Sequence, residues 1–209
     1  MPMAAEDVRT ISDESLANSA CAGSAPAFEE LVRRFQVPLM KFLERRFPSR
    51  RDAEDILQDT FLKVHQSLHL YRDEWKFRTW VFTIAYRIAI SHGRRQVLPK
   101  TGMPAAEVAD TGRRPADFAQ ESEQRERLWR TARDVLSEEQ FTILWLHYAQ
   151  DMPAADIGKI MNRTWVSVKT IMHRARKKLE PHVTPPAGAR RGVPDGMKPK
   201  MIQQVTYEK

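Results

Sequence analysis

Three sets of side chains in this sequence have types and spacings that could do chemistry. The first is acidic. Asp52, Asp55 and Asp59 recur at i, i+3 and i+7 with Glu54 and Gln58 beside them, so one side of a helix would carry several carboxylates. Such a row could hold a divalent cation, work in acid–base chemistry, or dock a basic partner; a solvated acidic face is the plain alternative. Carboxylate-bridged metal sites take further ligands from other helices, commonly as Glu-x-x-His, and that spacing occurs nowhere in the chain. His65 and His69 stand four apart, within reach of a shared zinc, but no third ligand of recognisable spacing accompanies them. The sequence therefore calls for no metal, no cofactor and no catalytic residue.

The second set is aromatic and basic. Tyr71, Trp75, Phe77, Trp80, Phe82 and Tyr86 are interleaved with Arg72, Lys76 and Arg78, and Arg87, Arg94 and Arg95 follow. Phe77, Val81, Ile84 and Ile88, joined by Trp80 and Ala85, are expected to form a core stripe, which turns much of this aromatic content into packing. Thr79, Phe82, Thr83 and Tyr86 fall toward another side, and Trp75 lies in a polar loop. Aromatic faces beside cations suit unpaired bases stacking while phosphates are neutralised. Packing and single-strand reading both remain open on these residues alone.

The third set lies near the C-terminus. Pro153 to Met161 reads as a short helix, Asn162-Arg163-Thr164 as a three-residue turn, and Trp165 to Leu179 as a longer helix that Thr164 can cap. Val168, Met172, Ala175 and Leu179 form a seam expected to be buried against Ala155, Ile157, Ile160 and Met161, with Gly158 allowing close approach. Ser167, Lys169, Thr170, Ile171, His173, Arg174, Arg176, Lys177 and Lys178 remain outside the seam. Two helices joined by a tight turn, the second basic on one side, form the helix-turn-helix pattern that enters the major groove of duplex DNA. The first part of the second helix carries hydroxyls and a lysine suited to base edges, and the later part an arginine–lysine cluster suited to phosphates. Trp165 and Ile171 are unusual on such a surface; thymine methyls and the preceding helix are their two available partners.

The elements that position these sets read as helices throughout, an all-α chain. Helices are expected at Asp13–Ala22, Ala27–Phe47, Arg51–Leu70 and Phe77 to about Arg95, with Phe28, Leu31, Val32, Phe35, Leu39, Phe42 and Leu43 on the core face of the second. Pro38 should bend or break that helix locally. Residues 96–120 dissolve into prolines, glycines and small polar residues, a flexible linker that could span at most about 80–90 Å. A second block follows at 121–181, and a basic Pro- and Gly-rich tail at 182–209 is expected to be disordered. Ser137 and Gln140 have capping-box spacing.

The 209 residues carry 42% apolar and 29% charged side chains, a globular composition, with a net charge of +7. Residues 1–95 carry 15 basic and 13 acidic side chains, residues 96–161 carry 8 and 11, and residues 162–209 carry 11 and 3. The charge is thus concentrated where a polyanion partner, or a solvated basic tail, would put it. Cys21 is the single cysteine, which excludes intramolecular disulfides and Cys-based zinc ribbons. Neither a membrane span nor a secretory signal is present, so a cytoplasmic protein without membrane insertion is expected.

Taken together these pieces resemble the sigma-70 family of bacterial transcription initiation factors, and its short extracytoplasmic-function (ECF) group in particular. Ala27–Phe35, Asp52–Phe61 and Phe77–Ala85 look like the family's region 2; Leu136–Gln140, Val168-Lys169 and His173–Leu179 look like region 4. The resemblance implies two small helical domains, a region 2-like one within 1–95 and a region 4-like one within 121–181. It implies RNA polymerase core as a partner, with Asp52, Asp55, Gln58 and Asp59 on the β′ clamp and the region 4 body on the β flap. It implies capture and melting of the −10 element by Tyr71, Arg72, Trp75, Lys76, Arg78, Thr79, Phe82, Tyr86, Arg94 and Arg95. The −35 duplex would meet Thr164, Trp165, Ser167, Lys169, Thr170, His173, Arg174, Arg176 and Lys177. An anti-sigma protein is a further partner the resemblance suggests. The chain departs from the family's common pattern at Tyr86-Arg87, Ser91 and Ile171, so its promoter preference is its own. A stand-alone helix-turn-helix regulator reading a palindrome as a dimer, and a helical carboxylate–metal hydrolase, are the two other classes weighed.

Overall fold

A computed structural model of the chain describes residues 10–47, 49–96 and 116–183. Every regular element among them is helical: α1 (Asp13–Cys21), α2 (Ala25–Glu44), α3 (Arg50–Ser67), a 3₁₀ turn (Leu68–Leu70), α4 (Phe77–Gln96), α5 (Ala116–Val135), α6 (Glu138–Tyr148), α7 (Ala154–Met161) and α8 (Trp165–Val183). The chain divides into two compact units, residues 1–110 and 111–209. Residues 97–115 of the expected linker, residues 184–209 of the expected tail, and Pro48 lie outside the described residues.

The first unit holds α1 to α4. Ser12, Ser24 and Ser49 each accept a hydrogen bond from the backbone N–H three residues on, starting α1, α2 and α3. α2 runs through Pro38 as one helix, so of the expected bend or break the break does not occur. Phe35, Leu39, Phe42 and Leu43 bracket that proline and are all buried, so core packing offsets the one backbone bond that proline removes. α4 packs on α1, α2 and α3. It is buried at Phe77, Thr79, Val81, Phe82, Thr83, Ala85 and Ala89, while Ile84 and Ile88, expected in the core stripe, are only half-buried. A helix covered by three others is buried round much of its circumference, so a single apolar stripe understates its core.

A polar clamp fixes α1 to α2. The Arg34 guanidinium donates to the Ile11 carbonyl at 2.7 Å, to Asp13 Oδ1 at 2.7 Å and to Glu30 Oε1 at 2.8 Å. Arg33 closes on both Glu30 oxygens at 2.7 and 2.6 Å. Hydrogen bonds from Arg33 and then Arg34 hold the Glu30 carboxyl at about 2, well below its usual value, although the side chain is largely covered.

The second unit holds α5 to α8. α5 begins at Ala116, so residues 116–120, expected as linker, are helical. Ala116 follows the last proline of that stretch, and Asp117, Phe118, Ala119 and Gln120 do not oppose a helix. The capping box at Ser137 and Gln140 is formed. α5, α6 and α7 all pack on α8, burying Trp129, Leu144, Trp145, Ile157, Ile160 and Met161 around Val168, Met172, Ala175 and Leu179. Ala155, expected on this face, is exposed, and Asp156 is buried there in its place with Lys159 at 3.4 Å. α8 continues past Leu179 to Val183, because Pro181 sits in its last turn and removes a single donor.

Glu30 gives the first unit a pH-dependent contribution of definite sign. Its folded-state pKa of about 2 lies below the ordinary 4.5, so its stabilisation is complete above about pH 4.5 and is lost as the pH falls from there toward 2. Urea unfolding between pH 6 and 2.5 should show a steeper acid-side loss in the native chain than in Glu30→Gln.

Candidate nucleic-acid interface

The turn between α7 and α8 is set by backbone chemistry. Asn162 adopts the left-handed conformation (φ 53°) and its N–H donates to the Gly158 carbonyl; the Arg163 N–H reaches the same carbonyl at 2.8 Å. A Cβ at Gly158 would stand 2.6 Å from the Arg163 carbonyl oxygen, so only glycine lets the turn come this close. Thr164 Oγ1 accepts from the Ser167 N–H at 3.2 Å and caps α8. Arg163 is drawn back to Glu139 of α6 at 3.0 Å.

Burial of the α8 seam decides which side chains are left outside. Thr164, Trp165, Lys169, Thr170, His173, Arg174 and Lys177 are exposed, and Ser167 is half-buried. The Lys169 ammonium lies 5.0 Å from the centroid of the Trp165 ring, a cation–π contact on one flank of the helix. Arg176 differs from the rest of its expected set. It is half-buried with its guanidinium 5.7 Å over the Tyr148 ring of α6, so it faces the body of its own unit. Val166, absent from the residues singled out by sequence, is 52% exposed.

In the first unit the loop 71–76 is held from within. Tyr71 is buried and its ring lies 5.4 Å from Phe77 and 5.4 Å from Trp80. Its hydroxyl donates to the Trp75 carbonyl at 2.9 Å. The Phe77 N–H, at the start of α4, donates to Glu14 Oε1 of α1 at 3.3 Å. Desolvation first, then the carboxylates of Glu14, Asp73 and Asp13, raise the Tyr71 hydroxyl to about 12. Tyr71 is thus the anchor of the loop rather than a face for a base. Thr79 and Phe82, expected on the same outward surface, are likewise buried and have no area to offer a ligand. Arg72 and Lys76 are exposed, Trp75 and Arg78 half-buried. Tyr86 is half-buried beneath the Arg46 guanidinium, 5.3 Å from its centroid. The side chains of Arg94 and Arg95 lie outside the described residues.

On α3, Asp55, Gln58 and Asp59 are exposed and Asp52 is half-buried in the first turn. Leu62, three residues beyond Asp59 and four beyond Gln58, is 61% exposed on the same side. Sequence reasoning passed over it, although an apolar residue in register with an acidic row was the available signal. Among the described residues no group of three or more His, Cys, Asp or Glu could hold a metal ion, and none of the helices is long and apolar enough to cross a membrane.

The profile of Sigma-70 region 2 matches residues 31–97, and that of Sigma-70, region 4 matches residues 127–179. An ECF RNA polymerase sigma-E factor of Haemophilus influenzae is 29% identical over 184 residues, covering 84% of this chain and 97% of that protein. The RNA polymerase sigma factor YlaC of Bacillus subtilis is 27% identical over 161 residues, 76% of this chain and 92% of the relative. The structure of CnrH in complex with the cytosolic domain of CnrY has a like fold, with a TM-score of 0.61 at 22% identity, covering 82% of this chain and 96% of CnrH.

The α7–α8 turn yields a direct check. Gly158→Ala should destabilise the second unit by roughly 1–3 kcal/mol, the usual range for a side chain forced into filled space. Chemical denaturation followed by tryptophan fluorescence, compared with a Trp75→Phe/Trp80→Phe background in which the signal comes from the second unit alone, reads this, and an unchanged midpoint would show that the turn has room.

Proposed function

The chain belongs to the sigma-70 family of RNA polymerase sigma factors, in its extracytoplasmic-function group, and from that membership we propose that it directs core polymerase to promoters by gripping a −35 duplex and an opened −10 strand. Sigma factors are transcription initiation factors that bind core polymerase and promoter DNA; on this reading phosphodiester synthesis stays with the polymerase. The observation that carries the reading is the presence of both regions, in order, on one chain whose exposed side chains sort by charge. An acidic row on α3 and a basic outer face on α8 belong to different units.

On this reading Asp55, Gln58 and Asp59, with Leu62 beside them, dock on the β′ clamp, and the body of the second unit meets the β flap. The exposed face of α8 enters the major groove: Thr170 and Lys169 reach base edges while Arg174 and Lys177 neutralise phosphates. Arg72, Trp75, Lys76 and Arg78, on a loop pinned by Tyr71, receive the −10 strand, with Tyr86 farther along α4. Extruding bases costs a few kcal/mol, and stacking returns about 1–3 kcal/mol per base. Binding energy therefore favours the open state of the DNA without any bond being made or broken by this chain. CnrH was captured with the cytosolic domain of CnrY, which supports an anti-sigma protein as a partner for this chain in the cytoplasm.

Run-off transcription with core polymerase on a pool of promoter fragments tests the proposal: the chain should select a subset of start sites, and an unchanged transcript pattern would defeat it. Asp55→Arg should weaken association with core polymerase by tenfold or more without altering thermal unfolding. Lys169→Ala and Arg174→Ala should each weaken promoter binding. Arg174→Ala should act alike on all sequences and reduce the salt slope of log K by about 1.

A further inference from the structure

We propose that Val166 is a specificity-determining residue that reads the 5-methyl group of a thymine in the −35 duplex. The proposal rests on the promoter-binding reading and adds to it a residue and a chemical group. Successive residues of an α-helix are turned by about 100°. Val168, Met172, Ala175 and Leu179 therefore mark one side of α8 as buried, as their exposures of 0–5% require. Across the axis from that seam lie Val166, Thr170, Arg174 and Lys177, all exposed. Val166 is the member of this outward row nearest the N-terminus of α8, the end whose residues meet base edges in helix-turn-helix docking.

An isopropyl group that is 52% exposed has no hydrogen bond to offer a base. The thymine methyl is the apolar feature that the major groove presents. The surroundings favour DNA over a protein partner. Residues 165–179 contain no acidic side chain, and the flank beside Val166 carries Lys169 held over the Trp165 ring. Thr170 Oγ1 donates to the Val166 backbone carbonyl at 3.0 Å, which restrains the Thr170 side chain one turn beyond Val166 and leaves its hydroxyl oxygen able to accept.

The test replaces thymine by deoxyuridine, which removes the methyl and leaves every hydrogen-bonding group in place. Holoenzyme assembled with the native chain is measured on a promoter it selects, with deoxyuridine substituted at each −35 thymine of either strand in turn. At one position affinity should fall about fourfold, the loss of one buried methyl. Val166→Ala should bind the thymine promoter about as weakly as the native chain binds the deoxyuridine one, and should be indifferent to the substitution. Thermal unfolding should not be lowered, since alanine is the better helix former. Deoxyuridine effects that persist in Val166→Ala, or none in the native chain, overturn the proposal, as does a selected −35 segment lacking a preferred thymine on both strands. A Val166→Ala chain that loses affinity for core polymerase instead would make this a protein contact. Failure of the native holoenzyme to form any promoter-specific complex would strike the underlying reading rather than Val166.

Discussion

The packing of one ring cluster, Tyr71 against Phe77 and Trp80, sets what the first unit can do. Phe35 reaches the same cluster through Phe77 at 5.4 Å, so the loop 71–76 begins on a residue that belongs to the core. Aromatic contacts of this kind add about 0.5–1.5 kcal/mol each beyond the area they bury. The loop's two ends are joined by the packing of Tyr71 on Phe77, and the Phe77 end is tied in addition to the Glu14 carboxylate of α1. What lies between them, Arg72 to Lys76, is held in place without being buried, which suits the strand-receiving role proposed for it. The clamp of Arg34 on Asp13, Ile11 and Glu30 extends this support, because α1 carries Glu14 and is itself tied down by Arg34.

The second unit solves the complementary problem of presenting a rigid helix. Its seam is fully covered, its start is capped by Thr164, and the approach of α7 is fixed by a glycine whose carbonyl accepts two N–H groups from the turn. These backbone constraints leave α8 little freedom to rotate about its own axis. They thereby decide which of its many cations face outward: Arg174 and Lys177 do, whereas Arg176 turns toward Tyr148. Charge counting treats these side chains alike, and only the packing separates them.

Much of this was legible in the sequence. The α8 seam, the Thr164 cap, the Ser137–Gln140 capping box and the exposed acids of α3 follow from spacing alone, since each depends on residues within one or two turns. The failures share a physical cause. Thr79 and Phe82 were expected to face outward because α4 was read as having one buried stripe, whereas three helices cover it; Tyr71 was given a DNA-facing role only by the family resemblance, and its ring packs into the core. Period-based reasoning assumes a single core side and cannot see a second neighbour. Ala155, expected on the buried face, is exposed for a related reason, as α7 is short and its orientation is set by the turn that follows. Val166 and Leu62 escaped notice because an apolar residue is ordinarily assigned to the core. Their exposure is a tertiary fact, and it is the exposure that makes them informative.

On the proposed reading this chain helps polymerase hold one stretch of promoter paired and another unpaired. Permanganate probing of a selected promoter in complex with core polymerase and this chain measures that act directly. The account predicts permanganate-reactive thymines in one short segment near −10 and, by DNase I footprinting of the same complex, protection at −35; Trp75→Ala should lose the reactivity while keeping the protection. Absence of reactive thymines with the native chain, or a joint loss of reactivity and −35 protection in the variant, would contradict it.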